Sequence, residues 1–479
     1  MKKYCTNFCG ALFLIVALLV NPLFIIHGQT WTNQEKSETV NASAPALPTL
    51  AYGIRELGTL GGNSSFARDI NDRGQITGNA NTTAGRLHAY LWENGVMRDL
   101  GFLPNGVDFS RGFSINENGV ITGESDNNSS KAFVYFPPDA TLTALSGLIT
   151  NNPDGLNIAG GFGAGINDNR QIVGTMSRIS PAVIRGFIYA DGTVRDLGSI
   201  DGLTTTPARA WGINHFGQAV GLSRNAGGIS HATLWQNGTA TDLGSLGGAT
   251  AFSEAFRIND RGQTVGRSTV TAGVTGQNAV LWENGQIRNL GRLDGVNFGR
   301  ANDINAFGTI VGTSSQFESF SGRAVIWRPG ETTPTDLNTL LPANSGWTLL
   351  TSAEGINNAG NIVGFGTING QTRAFVMTPY DVCLTDAQRG VTVLINSQSG
   401  DYRIIDCPFN TITEGKGEVS INGCLLTLRR AVGKQFIEAT FNLCRLTGTA
   451  TYGSIFRFPR TTVADNEAGN SGCGGACQP

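Results

Sequence analysis

Apolar and polar residues alternate in short runs through most of this chain. One phrase interrupts them at intervals: an isoleucine–asparagine pair, a turn, then a glycine closing the next β-rich run. The pairs are Ile70-Asn71, Ile115-Asn116, Ile166-Asn167, Ile213-Asn214, Ile258-Asn259, Ile304-Asn305 and Ile356-Asn357, spaced by 45, 51, 47, 45, 46 and 52 residues. Period-2 alternation predicts half-buried strands, and a repeat of roughly 40–50 residues with several strands per unit predicts a β-propeller.

The unit beginning at Phe66 shows the plan. Ala67 to Asn71 reads as a first strand, Asn71-Asp72-Arg73-Gly74 as a turn, and Gln75 to Gly78 as the start of a second strand. His88 to Trp92 is a third strand and Met97 to Leu100 a fourth. Asn94-Gly95 between the last two is a hairpin signal, because both residues tolerate positive φ. It recurs at Asn237-Gly238 and Asn284-Gly285, with Asp191-Gly192 in another copy. In the Asn-x-x-Gly turn, Asn bonds the backbone two residues on and Gly takes the left-handed position. Arg170 replaces that glycine in the third copy, which predicts a strained or reshaped turn there.

The third strand repeats at 88–92, 131–135, 185–189, 231–235, 278–282, 323–327 and 373–377, and its fifth position is aromatic in six of the seven copies. Alternate residues share a face, so large rings fall on one side and Ala or Gly with an aliphatic on the other. That pattern predicts interdigitating neighbours; an aromatic platform for sugars is the alternative. A fourth-strand phrase appears at Arg98-Asp99-Leu100, Arg195-Asp196-Leu197, Thr241-Asp242-Leu243 and Thr335-Asp336-Leu337. It also precedes the first unit, at Arg55-Glu56-Leu57, and is missing after Met377. The early segment is therefore expected to pair with Arg373 to Met377. The expected fold is all-β: a seven-bladed β-propeller closed by an N-terminal strand, followed by a small disulfide-containing β module.

Lys2, Lys3 and the apolar run Ala11 to Ile26 read as a secretory signal over 1–29, with an uncleaved anchor as the alternative. Residues 30–50 read as a linker and 51–380 as the propeller. Export to the medium or cell surface is the expected localisation, without a membrane span in the mature chain. Charged residues are 15% and the net charge is −2, which argues against a nucleic-acid partner. Cys383, Cys407, Cys424, Cys444, Cys473 and Cys477 all lie in the last hundred residues. Six cysteines in an exported module predict disulfides over a metal site, within a β-rich module at 381–460 and a flexible tail at 461–479. Fifteen pairings are open; Cys383–Cys407, Cys424–Cys444 and Cys473–Cys477 are preferred.

The wording of the repeat resembles the extracellular HAF-repeat family of bacterial secreted proteins. The matching phrases are His-Ala-Tyr-Leu-Trp at 88–92, Asp-Leu-Gly and Gly-Gly around Leu243 to Gly248, and Ile-Asn-Asp-Arg-Gly-Gln at 258–263, over about residues 51–380. The histidine of the His-Ala-Phe phrase is kept only at His88 and His231. The resemblance implies secretion and a propeller; it carries no catalytic residue. Residues 381–479 look more loosely like a C-terminal module of secreted bacterial proteins.

Sought chemistry is sparse. Beyond the signal only His88, His215 and His231 remain, and the chain has no serine elbow, zinc-type histidine pair or phosphate loop. No cofactor, metal or catalytic residue is assigned. Variable loops should share one rim, where binding commonly resides. The longest are 146–162 and 338–352. First-strand starts place Arg111, Arg209, Glu254 and Arg300 at the channel mouth; third-strand starts add His88, Lys131, Arg185, His231, Arg323 and Arg373. The main expectation is a non-enzymatic scaffold whose cationic rim binds extracellular polysaccharide or envelope components, solvated strand ends partly paired with the Asp and Glu residues nearby being the bland reading. The alternative is a polysaccharide-active enzyme, a glycoside hydrolase or lyase, using Asp69, Glu254, Asp303 and Glu354. A third reading is a purely structural surface protein attached through its disulfide module.

Overall fold

The computed structural model describes residues 51–380, apart from 127–129, 140, 179, 181, 274–275, 319–321 and 343, together with the backbone of nine strands between 382 and 465. The expected signal and linker lie outside the described residues. So do the side chains of all six C-terminal cysteines, Cys383 being placed only as part of a strand backbone. Contacts divide the chain into a unit at Ala51–Asp381 and another containing Val382–Pro479.

In the first unit the described strands form seven antiparallel sets, six of which follow the chain as a meander. Sheet 1 comprises Gly61–Ile70, Ile76–Thr82, Leu87–Glu93 and Val96–Asp99. Sheet 2 comprises Ser110–Ile115, Ile121–Ser125, Lys131–Tyr135 and Thr143–Ala144; sheet 3 comprises Phe162–Ile166, Ile172–Arg178, Val183–Ala190 and Thr193–Asp196. Sheet 4 comprises Ala208–Ile213, Ala219–Arg224, Ser230–Gln236 and Thr239–Asp242; sheet 5 comprises Ser253–Ile258, Thr264–Thr269, Gln277–Glu283 and Gln286–Gly291. Sheet 6 comprises Phe298–Ile304, Ile310–Ser315, Gly322–Trp327 and Thr335–Asp336, joined to sheet 5 by a single parallel pair, Gln277 with Phe298. Sheet 7 comprises Trp347–Ile356, Ile362–Ile368 and Gln371–Tyr380, and its fourth strand is Ala51–Glu56, with Arg55 opposite Val376. The unit is all-β and propeller-like.

The repeated phrase owes its form to two constraints. Every first strand carries a bulge just before its isoleucine, as at Ala67/Asp69 and Ala301/Asp303. Every second strand carries a glycine opposite that region. A Cβ at Gly78 would stand 2.0 Å from the Phe66 carbonyl oxygen, and one at Gly123 1.9 Å from that of Arg111. No larger residue fits there. The asparagine after each isoleucine acts twice. Its side-chain oxygen accepts from the backbone of its own turn, and its Nδ2 donates to the carbonyl of the corresponding asparagine in the next sheet. The bonds run Asn71 to Asn116 at 2.9 Å, Asn116 to Asn167 at 3.0 Å, Asn167 to Asn214 at 2.9 Å and Asn214 to Asn259 at 3.1 Å. They continue from Asn259 to Asn305 at 3.0 Å, Asn305 to Asn357 at 3.1 Å and Asn357 back to Asn71 at 3.1 Å.

Between sheets the core follows the large-against-small alternation. Ala89 and Leu91 of sheet 1 pack with Phe133 and Tyr135 of sheet 2, and Ala374 of sheet 7 packs with Tyr90 and Trp92 of sheet 1. The aromatic rings of the third strands are thus core. At Arg170 the turn is not reshaped. Arg170 takes φ 60° and its N–H still donates to the Asn167 carbonyl at 3.0 Å, as Gly74 does to Asn71.

In the second unit the nine strands run from Val382–Asp386 to Arg460–Asp465, the last falling where a tail was expected from 461. They form one sheet whose end strands are Thr411–Lys416 and Glu418–Asn422. One residue separates those two ends, and one residue spans only about 7 Å between flanking Cα atoms. The sheet must therefore roll until its ends meet.

Candidate active site

In sheets 1 and 3–6 the side chain of His88, Arg185, His231, Asn278 or Arg323 meets the acidic or amide side chain of the fourth strand, eleven to thirteen residues on. His88 Nδ1 is 2.9 Å from both Asp99 oxygens, and its Nε2 is 2.5 Å from Asp108. Arg185 is 1% exposed; its Nε donates to both Asp196 oxygens at 3.0 and 2.8 Å, and its Nη1 to the Thr206 carbonyl. His231 Nδ1 is 2.9 Å from Asp242, Arg323 pairs with Asp336 at 3.0 Å, and Arg373 with Glu56 at 2.8 Å. In sheet 5 an amide pair, Asn278 with Asn289, takes the same place at 2.9 Å. Lys131 bonds Asp126 at 2.9 Å. The hydrogen bond that His88 donates to Asp99 raises the His88 pKa above its ordinary value, against the opposing effect of burial. The Asp-Leu phrase of the fourth strand is thus the partner of the third-strand cation. The recurrent spacing was legible in the sequence, and pairing of these strand-end cations with nearby acids is what its bland reading expected.

The first strands hold a second group of charges. Arg111 Nη1 lies 3.3 Å from Glu124, and Arg209 is exposed without a partner among the described residues. Buried Glu254 accepts from Trp211 Nε1 at 2.9 Å and from Arg267 Nε and Nη2 at 2.9 and 2.7 Å. Glu354, the bulge residue of sheet 7, accepts from Arg68 of sheet 1 at 2.9 Å and from Ser352. The Arg300 guanidinium lies 3.9 Å over the Phe256 ring. On the far side, Phe113, Phe162 and Trp211 of sheets 2, 3 and 4 contact one another at 5.9 and 5.8 Å. The bulge and the strand-start positions therefore bring side chains of all seven sheets towards one axial cluster.

One step along the same strands sit Asp69 of sheet 1 and Asp303 of sheet 6, with Arg257 of sheet 5. Asp69 accepts from Ser114 Oγ at 2.8 Å and Ile115 N at 3.0 Å; Asp303 accepts from Ile304 N and Ile356 N, both at 2.8 Å. Between them sheet 7 presents Gly355, where a Cβ would lie 3.2 Å from the Asp69 Cα. Burial pushes the Asp303 carboxyl up to about 7; Arg257 opposes this and the charge of Asp69 adds to it. Burial likewise raises Asp69, with Arg257 opposing. Glu354 goes the other way. Burial would raise it, but Arg68 and Arg300 together hold it below its ordinary value. Of the four acids named from the sequence, Asp69 and Asp303 interact directly as charges, whereas Glu254 and Glu354 are committed to arginines. The signal for this division lay in the residue before each isoleucine, which is Asp in sheets 1 and 6 and Gly in sheets 3, 4 and 7.

Among the described residues no group of three or more His, Cys, Asp or Glu could hold a metal, and no helix is long and apolar enough to cross a membrane.

No family model matches the chain, and no curated protein matches it. Solved structures similar to it include a puromycin-hydrolyzing peptidase of Mycobacterium tuberculosis, at TM-score 0.42 and 11% identity, covering 83% of this chain and 60% of that one. Another comes from a study of two prolyl endopeptidases, at TM-score 0.26 and 10% identity, covering 72% and 48%. A third is the GH74 xyloglucanase from Xanthomonas campestris, at TM-score 0.21 and 11% identity, covering 73% and 57%. The chain thus spans less than two thirds of each, and likenesses at these scores carry no argument about activity.

The expectation of a non-enzymatic scaffold binding through a cationic rim is corrected. The three structures named above carry enzyme titles. Independently, His88, Arg185, His231, Arg323 and Arg373 are bound to acids of their own sheets, and Lys131 to Asp126. Of the predicted rim cations, Arg209 and Arg300 are left without an ion-pair partner among the described residues.

Proposed function

We propose that residues 51–380 form a closed seven-bladed propeller of the HAF-repeat type, exported from the cell, that hydrolyses extracellular polysaccharide at its axial cluster. The asparagine circuit, which returns from Asn357 to Asn71, supports closure. The basic start and apolar run of the chain support export.

One feature carries the enzymatic reading: the buried Asp303 carboxyl, pushed up to about 7, lies within electrostatic reach of a second buried acid, Asp69. Glycosidic cleavage needs one carboxylic acid and one carboxylate, and coupling of two buried acids supplies both at one pH. Asp303 gives its proton to the leaving glycosidic oxygen as the C–O bond breaks. Water adds its oxygen to the sugar carbon, and Asp69 takes the proton that this water releases. The pair ends with its proton exchanged and no net change. Both acids also brace neighbouring sheets through backbone N–H groups, so activity and stability must be separated in any test.

The test is release of reducing ends from a panel of polysaccharides by the full chain across pH 4–9. Turnover should fall as pH rises through about 7, where Asp303 loses its proton, and Asp303→Asn should lower it by a hundredfold or more while the folded fraction stays constant. Absence of turnover on every substrate, or turnover undiminished in folded Asp303→Asn, would refute the assignment.

A further inference from the structure

Arg300 is the cation of the axial cluster that no protein group meets by a hydrogen bond; Glu354 and Glu254 offset its charge only through space. Its Nε is shut off from solvent and has no hydrogen-bond partner, and none of its five donors meets an acceptor among the described residues. The nearby acids are engaged elsewhere: Glu254 by Arg267 and Trp211, Glu354 by Arg68 and Ser352. The other axial arginines differ. Arg68 and Arg267 have carboxylates, and Arg257 donates to the Trp211 carbonyl at 3.2 Å. Leaving one guanidinium without an acceptor in a confined place is costly. Such a cost is expected where a ligand supplies the missing anion.

The surroundings narrow the ligand. With one face of the guanidinium covered by Phe256 at 3.9 Å, its donors are left in the plane, the geometry that grips a planar carboxylate by two parallel bonds. From Phe256 the lining continues through Arg267 and Glu254 to Trp211, Phe162 and Phe113, the last three being half-buried aromatics. Phe162 and Trp211 are near-parallel at 23° and Phe113 stands edge-on at 73°, so the rings offer apolar surface to the C–H groups of a sugar. The carboxylates of Glu254 and Glu354 keep acceptor capacity for hydroxyl groups. A carboxylate, a ring of C–H bonds and several hydroxyls together describe a uronic acid.

We propose that Arg300, stacked on Phe256, is the receptor for the carboxylate of a uronic-acid residue, so that the substrate class is acidic glycan. This deepens the hydrolase reading and rests on it for the word substrate; the binding claim itself can be measured without catalysis.

The experiment is titration calorimetry of the full chain carrying Asp303→Asn, with a galacturonic acid trisaccharide and with the same trisaccharide fully methyl-esterified. Two further chains add Arg300→Gln or Arg300→Lys, and thermal melts confirm that each is folded. The acid form should bind about tenfold or more tighter than the ester. Arg300→Gln should remove that preference while keeping ester affinity, and Arg300→Lys should restore part of it. Equal affinity for acid and ester, a preference that survives Arg300→Gln, or binding of neither sugar overturns the inference. If Arg300-dependent binding appears but the unmodified chain releases no reducing ends, the hydrolase reading fails and the receptor stands. If neutral glycans are cleaved without any acid preference, the reverse holds.

Discussion

Replacing Asn357 by aspartate isolates one bond in the circuit of asparagines. The Asn357 side chain is 4% exposed; its Oδ1 accepts from the Asn361 N–H at 2.9 Å, and its Nδ2 donates at 3.1 Å to the Asn71 carbonyl, 286 positions away. Aspartate keeps the acceptor and the shape but sets an oxygen against that carbonyl. Asn116 is its matched control. It too is 4% exposed, with Oδ1 accepting within its own turn and Nδ2 donating to the Asn167 carbonyl at 3.0 Å. Losing one buried donor costs about 1–3 kcal/mol, and a carboxylate confined there adds to it. If sheet 7 is locked to sheet 1 as sheet 2 is to sheet 3, both substitutions should cost the same within a factor of two. Urea unfolding at pH 8 measures each against the unmodified chain. The deficit should shrink as pH falls, because a protonated carboxyl regains a donor. A cost at Asn116 with Asn357→Asp inside the roughly 0.5 kcal/mol range of neutral surface changes would refute closure.

Arg185→Ala should cost about 1.5–3 kcal/mol in the same assay, because it removes two charge-assisted bonds to Asp196 and leaves Arg178 only 4.0 Å away; a loss below about 1 kcal/mol would return Arg185 to the pool of binding residues. Arg170→Gly should stabilise by roughly 0.5–1 kcal/mol, since the left-handed φ of 60° penalises any side chain and the loss of the Phe136 contact at 5.8 Å offsets only part of that gain. A destabilised variant would mean that the arginine contributes more through its contacts than it loses in backbone strain.

Much of the architecture could be read before any coordinates. Strand identity follows from local alternation, and the tight turns from residues that tolerate positive φ: Asn94, Asp191, Asn237 and Asn284 all adopt φ near 50°. Packing of large rings against small residues followed from which positions share a face. Even the fourth strand of sheet 7 was marked by a phrase displaced to the other end of the unit.

The site was far less legible, for a physical reason. Alternation assigns each residue a side of its own strand, but a bulge in every first strand slips that register by one and turns Arg68, Phe256, Asn302 and Glu354 to new directions. Which charges then meet depends on distances between sheets, across gaps of up to 286 residues, and no local pattern encodes those. The sequence by itself determined the strands, their turns and the faces they bury, because these depend on neighbours within a few positions. Only the tertiary structure decided that His88 and Arg185 are tied within their sheets, that Asp69 and Asp303 share one electrostatic environment, and that Arg300 is left without a hydrogen-bonded partner.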